Sequence, residues 1–253
     1  MRRFLATTRS FLQRSEPWLF VAALVVVLGI WGFATITEDV VHGETKKFDY
    51  SILRWLRDPD DMRRLIGPPW VLTVVRDITA LGGAFVMALV IGGTIGFLVL
   101  VRRYHTVVFL LIATGGATIL NVAIKNIIDR PRPEVVPHLT DVSSASFPSG
   151  HSAMSAAVYL TLGAIMAQSV KKRRVKLYFA FLALIITGLV GASRVALGVH
   201  YPSDVLAGWS SGLAWALLCW LIARYLQRRG AIEKEADALP EEHSRATVSP
   251  PSP

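Results

Sequence analysis

Long apolar runs constrain the fold of this chain more than any other feature of its sequence. The runs occupy residues 17–36, a stretch within 70–101, and residues 105–124, 151–167, 177–195 and 204–224. About 20 consecutive apolar residues are enough to cross a bilayer as a helix. Backbone N–H and C=O groups in hydrocarbon must be paired within their own segment, which favours helices. The pattern predicts an all-α polytopic membrane protein, with six transmembrane helices in a bundle.

The composition agrees with a membrane protein and argues against a nucleic-acid partner. Of the 253 residues, 53% are hydrophobic, which is high for a soluble domain. The formal net charge of +9 would suggest nucleic-acid binding in a soluble protein. Here the basic residues cluster beside the apolar runs, which is typical of cytoplasmic loops. The single cysteine, Cys219, lies inside the last run and excludes an intrachain disulfide.

The basic clusters predict the orientation of the chain. Arginines precede the first run, Arg102 and Arg103 follow the second, and residues 171–176 separate the fourth from the fifth. With these clusters in the cytoplasm, both termini are cytoplasmic and segments 125–151 and 193–204 share the extracytoplasmic face. A cleaved signal peptide is the rival interpretation of the first run. We disfavour it because the run is long and no small-x-small site precedes Glu38.

The chain divides into a membrane domain with short flanking segments. We expect a basic cytoplasmic N-terminus at 1–16, the six-helix membrane domain at 17–226 and a disordered cytoplasmic tail at 227–253. Within the membrane domain, residues 38–70 carry mixed charges and apolar side chains, and predict an amphipathic extracytoplasmic segment at the membrane interface.

Ionisable residues concentrate on the predicted outer face. Lys125, Arg132 and Arg194 supply three cations, and the planar arginines suit phosphoryl oxygens. Ser149 and Gly150 precede a predicted helix, whose N–H groups and dipole attract anions. Taken singly, the cations also fit interfacial anchors and Ser149 fits an ordinary helix cap.

Two histidines complete the cluster. His200 and Asp204 are four residues apart, and an imidazole fixed by a carboxylate leaves its other nitrogen free. A plain helix cap is the alternative for this pair. With His151 nearby, one imidazole can attack phosphorus and the other can protonate the leaving oxygen. The sequence contains no carboxylate cluster for Mg²⁺ and no zinc spacing, so we expect no metal and no cofactor, with the cations acting in place of a metal.

Together the clusters resemble the signature of the type 2 phosphatidic acid phosphatase superfamily, which reads Lys-x6-Arg-Pro, then Pro-Ser-Gly-His, then Ser-Arg-x5-His-x3-Asp. The matching residues are Lys125, Arg132, Pro133, Pro148, Ser149, Gly150, His151, Ser193, Arg194, His200 and Asp204. The resemblance implies that His200 is the nucleophile, that Asp204 fixes its tautomer, and that His151 is general acid and then base. It also implies phosphate binding by Lys125, Arg132, Ser149, Gly150 and Arg194. Arg130 lies outside the pattern, and both substrate contact and solvent exposure stay open for it.

The resemblance implies a metal-independent membrane lipid phosphatase of the inner membrane, acting at the outer leaflet through a phosphohistidine. Its substrate would be a lipid phosphate or diphosphate, with undecaprenyl diphosphate favoured and phosphatidylglycerol phosphate or phosphatidic acid next. Two alternatives stay open: a lipid phosphotransferase that uses the same phosphohistidine, and a non-catalytic lipid-phosphate carrier. Membrane lipids are the expected surroundings, and the oligomeric state does not follow from the sequence.

Overall fold

The computed structural model describes residues 17–228 as a bundle of helices. The helices are α1 (Pro17–His42), α2 (Lys46–Trp55), α3 (Trp70–Ala80), α4 (Ala84–Leu100), α5 (Tyr104–Ile128), α6 (Gly150–Gln168), α7 (Arg173–Ala196) and α8 (Pro202–Arg228). Within this range the only β contact is an isolated bridge between Arg57 and Leu65. The all-α prediction is therefore confirmed. The predicted N-terminal segment 1–16 and nearly all of the predicted tail lie outside the described residues, although α8 extends two residues into the tail.

Several helices are suited to a lipid environment. Among the described residues, α1, α5, α7 and α8 are long and apolar enough to cross a membrane, and α3 with α4 forms a fifth candidate bent by 44°. Large apolar side chains on their surfaces are exposed, including Phe85 on α4 and Ile127 on α5. Such a surface is stable in hydrocarbon and unfavourable in water. The chain is an integral membrane protein.

Helix α6 differs from the other long helices because it is partly polar. It does not meet the criterion of length and apolarity that the other spans satisfy. Its polar side chains Ser152, Ser155 and Thr161 are buried inside the bundle, where α6 packs against α7 and α8. An interior helix needs no apolar surface toward lipid, so its sequence carries a weaker signal. The count of six spans stays a prediction.

The segment between α1 and α3 departs from the sequence prediction. Helix α1 continues to His42, beyond the predicted end at 36. Helix α2 is amphipathic, but Asp49 and Leu53 on one of its sides are fully buried, and Arg57 beyond its end is 1% exposed. The location of residues 38–70 at the interface stays a prediction. The sequence did not indicate that this side is buried, which it is because it packs beneath the loops that connect the longer helices.

A close approach between α6 and α8 sets the geometry of the outer loops. A Cβ atom on Gly208 would lie 2.7 Å from the carbonyl oxygen of Ser149, and one on Gly212 would lie 2.3 Å from that of Ala153. Only glycine permits backbones to come this near. As a result, the amide of Ser149 donates to the carbonyl oxygen of Asp204 at 3.0 Å. The start of α6 and the first turn of α8 are thereby held side by side.

Candidate active site

The start of α6 forms one wall of the site. Ser149 is fully buried. Its Oγ accepts hydrogen bonds from the backbone amide of Ser152 at 3.4 Å and from the Ser152 hydroxyl at 3.0 Å. Gly150 begins the helix, and a Cβ there would lie 3.3 Å from Asn121 Oδ1 and 3.8 Å from Lys125 Cε. The amides at the N-terminus of α6 therefore lie beside the last turns of α5, where Lys125 adds positive charge.

The three predicted phosphate-binding cations come from three different elements. Arg132, in the loop after α5, donates to the carbonyl oxygens of Ser144 at 2.8 Å and Val199 at 2.6 Å. Lys125 on α5 donates to the carbonyl oxygen of Ala145. Burial lowers the pKa of Arg132 from its usual 12.5, an effect that the Asp204 charge opposes, and a guanidinium stays cationic at neutral pH.

Arg194 on α7 is the most deeply buried of these cations. It is 5% exposed, and its Nη1 donates to Thr79 Oγ1 at 3.0 Å. Its Nε has no hydrogen-bond partner among the described residues. A buried guanidinium N–H without an acceptor is costly and favours binding of an anion. The charges of Arg132 and Arg194 both act on Lys125, so the three cations share one region.

His200 stands between a carboxylate and the cations. Its Nδ1 lies 3.5 Å from Asp204 Oδ2 and 3.4 Å from Ser146 Oγ, and its Nε2 lies 3.4 Å from Arg132 Nη1. Burial lowers the pKa of His200 from 6.5 to about 4, although Asp204 opposes this shift. The imidazole is therefore neutral at pH 7. With its proton on Nδ1 toward the carboxylate, the lone pair of Nε2 faces the cations.

Asp204 is fully buried and held by partners that the sequence motifs do not include. Its Oδ2 accepts from the amide of Tyr201 at 2.9 Å and from the hydroxyl of Ser146. Its Oδ1 accepts from Arg130, which also pairs with Asp49 Oδ2 at 2.9 Å. Arg130 joins two buried carboxylates and its side chain is 11% exposed, so the interpretation of solvent exposure is wrong, while substrate contact stays a prediction. Sequence reasoning missed Asp49 and Ser146, and the one available signal was an aspartate on the Leu53 side of α2.

His151 lies in the same region as His200 and the three cations. It is half-buried, and the charges of Arg194, His200, Arg132 and Lys125 all act on it. At the break between α3 and α4, a Cβ on Gly82 would lie 3.1 Å from His151 Cδ2, so the imidazole packs against this break. The structure thus brings all eight predicted site residues together, while their individual roles stay predictions. Within residues 17–228, no group of three or more His, Cys, Asp or Glu side chains is arranged to hold a metal ion.

Comparison with known proteins gives a consistent result. The PAP2 superfamily profile matches residues 106–228. Phosphatidylglycerophosphatase B of Bacillus subtilis is 38% identical over 155 residues, which cover 59% of this chain and 73% of the relative. Decaprenylphosphoryl-5-phosphoribose phosphatase of Mycobacterium tuberculosis is 28% identical over 158 residues, which cover 58% of this chain and 78% of the relative.

Two solved structures share the fold. The crystal structure of a transmembrane PAP2-type phosphatidylglycerolphosphate phosphatase from Bacillus subtilis superposes with a TM-score of 0.73 at 29% identity, covering 80% of this chain and 98% of that chain. Aquifex aeolicus LpxE superposes with a TM-score of 0.53 at 24% identity, covering 70% of this chain and 95% of that chain. The second likeness concerns the fold alone.

The fold and the site define an integral membrane enzyme whose cations and imidazoles lie together in one region. The chain belongs to the PAP2 superfamily, as its resemblance at the sequence level indicated. It is a membrane lipid phosphatase and therefore a hydrolase.

Proposed function

We propose that the enzyme hydrolyses a lipid phosphate or diphosphate at the outer leaflet through a phosphohistidine on His200. The observation that carries this proposal is the position of His200, with Nδ1 toward Asp204 and Nε2 toward Arg132. A neutral imidazole held in this way is a competent nucleophile. In the first step Nε2 bonds to phosphorus, the bond from phosphorus to the lipid oxygen breaks, and His151 donates its proton to that oxygen.

The second step returns the enzyme to its starting state. His151 accepts a proton from water, the water oxygen bonds to phosphorus, and the bond between phosphorus and Nε2 breaks to release inorganic phosphate. Lys125, Arg132, Arg194 and the amides that follow Ser149 stabilise the equatorial oxygens in both transition states. Since these cations supply the positive charge, we propose that the reaction needs no metal ion, and we expect turnover to persist in EDTA.

An apolar groove beside the site supports a lipid substrate. The groove has a volume of about 450 Å³ and lies between α2, α3, α7 and α8. Ser193 and Pro202 line it next to the site, and Ile78 lines it beside the Thr79 that binds Arg194. An acyl or prenyl chain in this groove would stay in contact with hydrocarbon while its phosphate reaches the cations.

The head group is the finer part of the proposal. We favour undecaprenyl diphosphate on the family resemblance, whereas the relatives are named for phosphatidylglycerophosphate and decaprenylphosphoryl-5-phosphoribose. The test is phosphate release from these lipids and phosphatidic acid in defined vesicles, with His200→Ala as the blank. We expect His200→Ala to lower turnover at least about 10³-fold while binding of the lipid substrate changes little. Turnover by His200→Ala would exclude the proposed nucleophile, and phosphate transfer to an added alcohol without release to water would favour the phosphotransferase.

A further inference from the structure

The mechanism above does not use the buried carboxylate of Asp49. Asp49 is fully buried on α2, a helix outside the residues matched by the PAP2 profile. Its Oδ1 accepts from the amide of Ser203 at 2.9 Å, and its Oδ2 accepts from the Ser203 hydroxyl at 2.7 Å and from Arg130 Nη2 at 2.9 Å. Every one of these donors lies next to, or bonds to, Asp204. The contacts therefore connect α2 to the carboxylate that faces His200.

Arg130 is the link between the two carboxylates. Its Nη1 donates to Asp204 Oδ1 and its Nη2 donates to Asp49 Oδ2. Its guanidinium carbon also lies 4.0 Å from the centre of the Tyr201 ring, which in turn stacks on Tyr50 of α2 at 6.1 Å. A planar cation with two carboxylates at its edge and an aromatic ring on its face has little freedom to rotate. Arg130 and Asp204 are therefore held in one geometry.

The charges of this cluster have a consequence for the reaction. Two carboxylates share one guanidinium, so the three side chains carry a net charge of −1. If Arg130 had only Asp204 as a partner, that pair would be neutral, and the imidazole beside it would face no net negative charge. During attack on phosphorus the imidazole of His200 becomes cationic. A residual negative charge in a buried cluster favours that state.

We propose that Asp49 is a positioning residue for the reaction. Acting through Arg130, it fixes the Asp204 carboxylate opposite Nδ1 of His200 and keeps the buried cluster negatively charged while the imidazole becomes positive. This inference rests on the proposed nucleophilic role of His200. It gives α2 a function that the motif residues alone do not reveal, because α2 contributes a charge to the site from a separate part of the chain.

The decisive variant is Asp49→Asn in the full chain, purified in detergent and assayed for phosphate release. We expect kcat to fall roughly 10- to 100-fold, a usual cost of losing a partner one step behind a reacting group. KM, the affinity for inorganic phosphate and the thermal midpoint should each stay close to wild type, because the phosphate-binding cations are intact. Glu44→Gln, an exposed carboxylate change just before α2, is the matched control and should leave kcat unchanged.

A double-mutant cycle separates positioning from general stabilisation. In a chain that carries Asp204→Asn, adding Asp49→Asn should lower kcat by less than about twofold, since both act through one carboxylate. If Asp49→Asn does not fold, Ser203→Ala removes one hydrogen bond to Asp49 and should lower kcat several-fold at unchanged KM. Unchanged kcat in the folded single variants, or fully additive losses in the cycle, would overturn the inference. If His200→Ala keeps its turnover, the proposed function fails as well. If His200→Ala loses turnover while Asp49→Asn does not, only the inference about Asp49 fails.

Discussion

His151 and His200 are two imidazoles in one site, and their surroundings suit them to the different tasks proposed for them. His200 is 2% exposed and faces a buried carboxylate, which suits a nucleophile that needs a fixed tautomer. His151 has no carboxylate partner in the described hydrogen bonds and is acted on by several cations. A cationic environment favours release of a proton, which suits a residue that protonates a leaving oxygen.

His151→Gln tests this division of tasks at a single residue. We expect turnover of an alkyl lipid phosphate to fall about 10²- to 10⁴-fold, because an alkoxide leaves poorly without a proton. An aryl phosphate with an acidic leaving group should lose much less. The measurement is kcat/KM for both substrates, because this ratio reports release of the leaving group and not the later hydrolysis in which His151 is the base. His105→Gln at the opposite end of α5 is the control. Equal losses on both substrates would contradict the general-acid role.

The low pKa of His200 predicts a dependence of stability on pH. Burial lowers this pKa from 6.5 to about 4, so between these values the unfolded chain binds a proton that the folded chain does not. The contribution of His200 to the stability of the folded state is therefore complete above pH 6.5 and is lost as the pH falls toward 4. The loss from pH 7 to pH 5 is about 2 kcal/mol at roughly 1.4 kcal/mol per pH unit.

Thermal unfolding in detergent measures this effect. The midpoint of the wild type should fall by several degrees between pH 7 and pH 5, after subtraction of the change seen in His200→Gln. Glutamine cannot be protonated at this position, so the variant reports what all other groups contribute. Identical pH profiles for the two proteins would show that His200 titrates normally in the folded state.

The motif residues could be predicted from the sequence because they occur at fixed spacings and share one face of the membrane. Asp49 could not, because its partner Ser203 is 154 residues away and the contact depends on how α2 packs. The same holds for Ser146, whose partner Asp204 is 58 residues away. Arg132 stands out in the sequence because it lies between two prolines. The role of Arg130 depends on its contacts with Asp49 and Asp204, which form only when the chain folds.

At the level of elements, α2 carries two different surfaces. Asp49 and Leu53 face the loops of the site, while Phe48, Ile52 and Trp55 line the apolar groove. The amphipathic pattern predicted an interfacial segment but could not tell that the side with Asp49 and Leu53 was buried. Helix α6 is enclosed by other helices and therefore needs fewer apolar residues, so its sequence indicates a membrane span only weakly. Sequence patterns thus predict helices better than they predict the environment of each side.

The groove gives a prediction for Ala192, an exposed residue of α7 that lines it. Ala192→Trp fills part of the groove, so KM for a long-chain lipid phosphate should rise about tenfold. KM for a short soluble phosphate ester should stay unchanged, because the cations are untouched. The matched control is Ala167→Trp in a second apolar groove of about 460 Å³ near the other end of α6. A rise for both esters, or for both variants, would contradict a chain-binding role.

At the scale of the whole molecule, the site and the basic turns lie at opposite ends of the bundle. Helix α6 begins at the site with Gly150 and ends at Gln168, just before the basic residues 171–176. Its 19 residues span about 28 Å at 1.5 Å per residue, close to the thickness of the hydrocarbon core. Helix α5 runs the other way, from beside Arg103 to the site. Positive turns face the cytoplasm, so the site should face outward.

Labelling in intact cells tests this orientation. In a Cys219→Ala chain, a cysteine at Ser143, an exposed position in the loop before α6, should react with a membrane-impermeant maleimide. A cysteine at Lys172, exposed in the basic turn, should react only after the cells are permeabilised. The two sites differ by a full membrane thickness, so one topology cannot expose both from outside. Reaction at Lys172→Cys with protection at Ser143→Cys would invert the topology and would assign the enzyme to lipids of the inner leaflet.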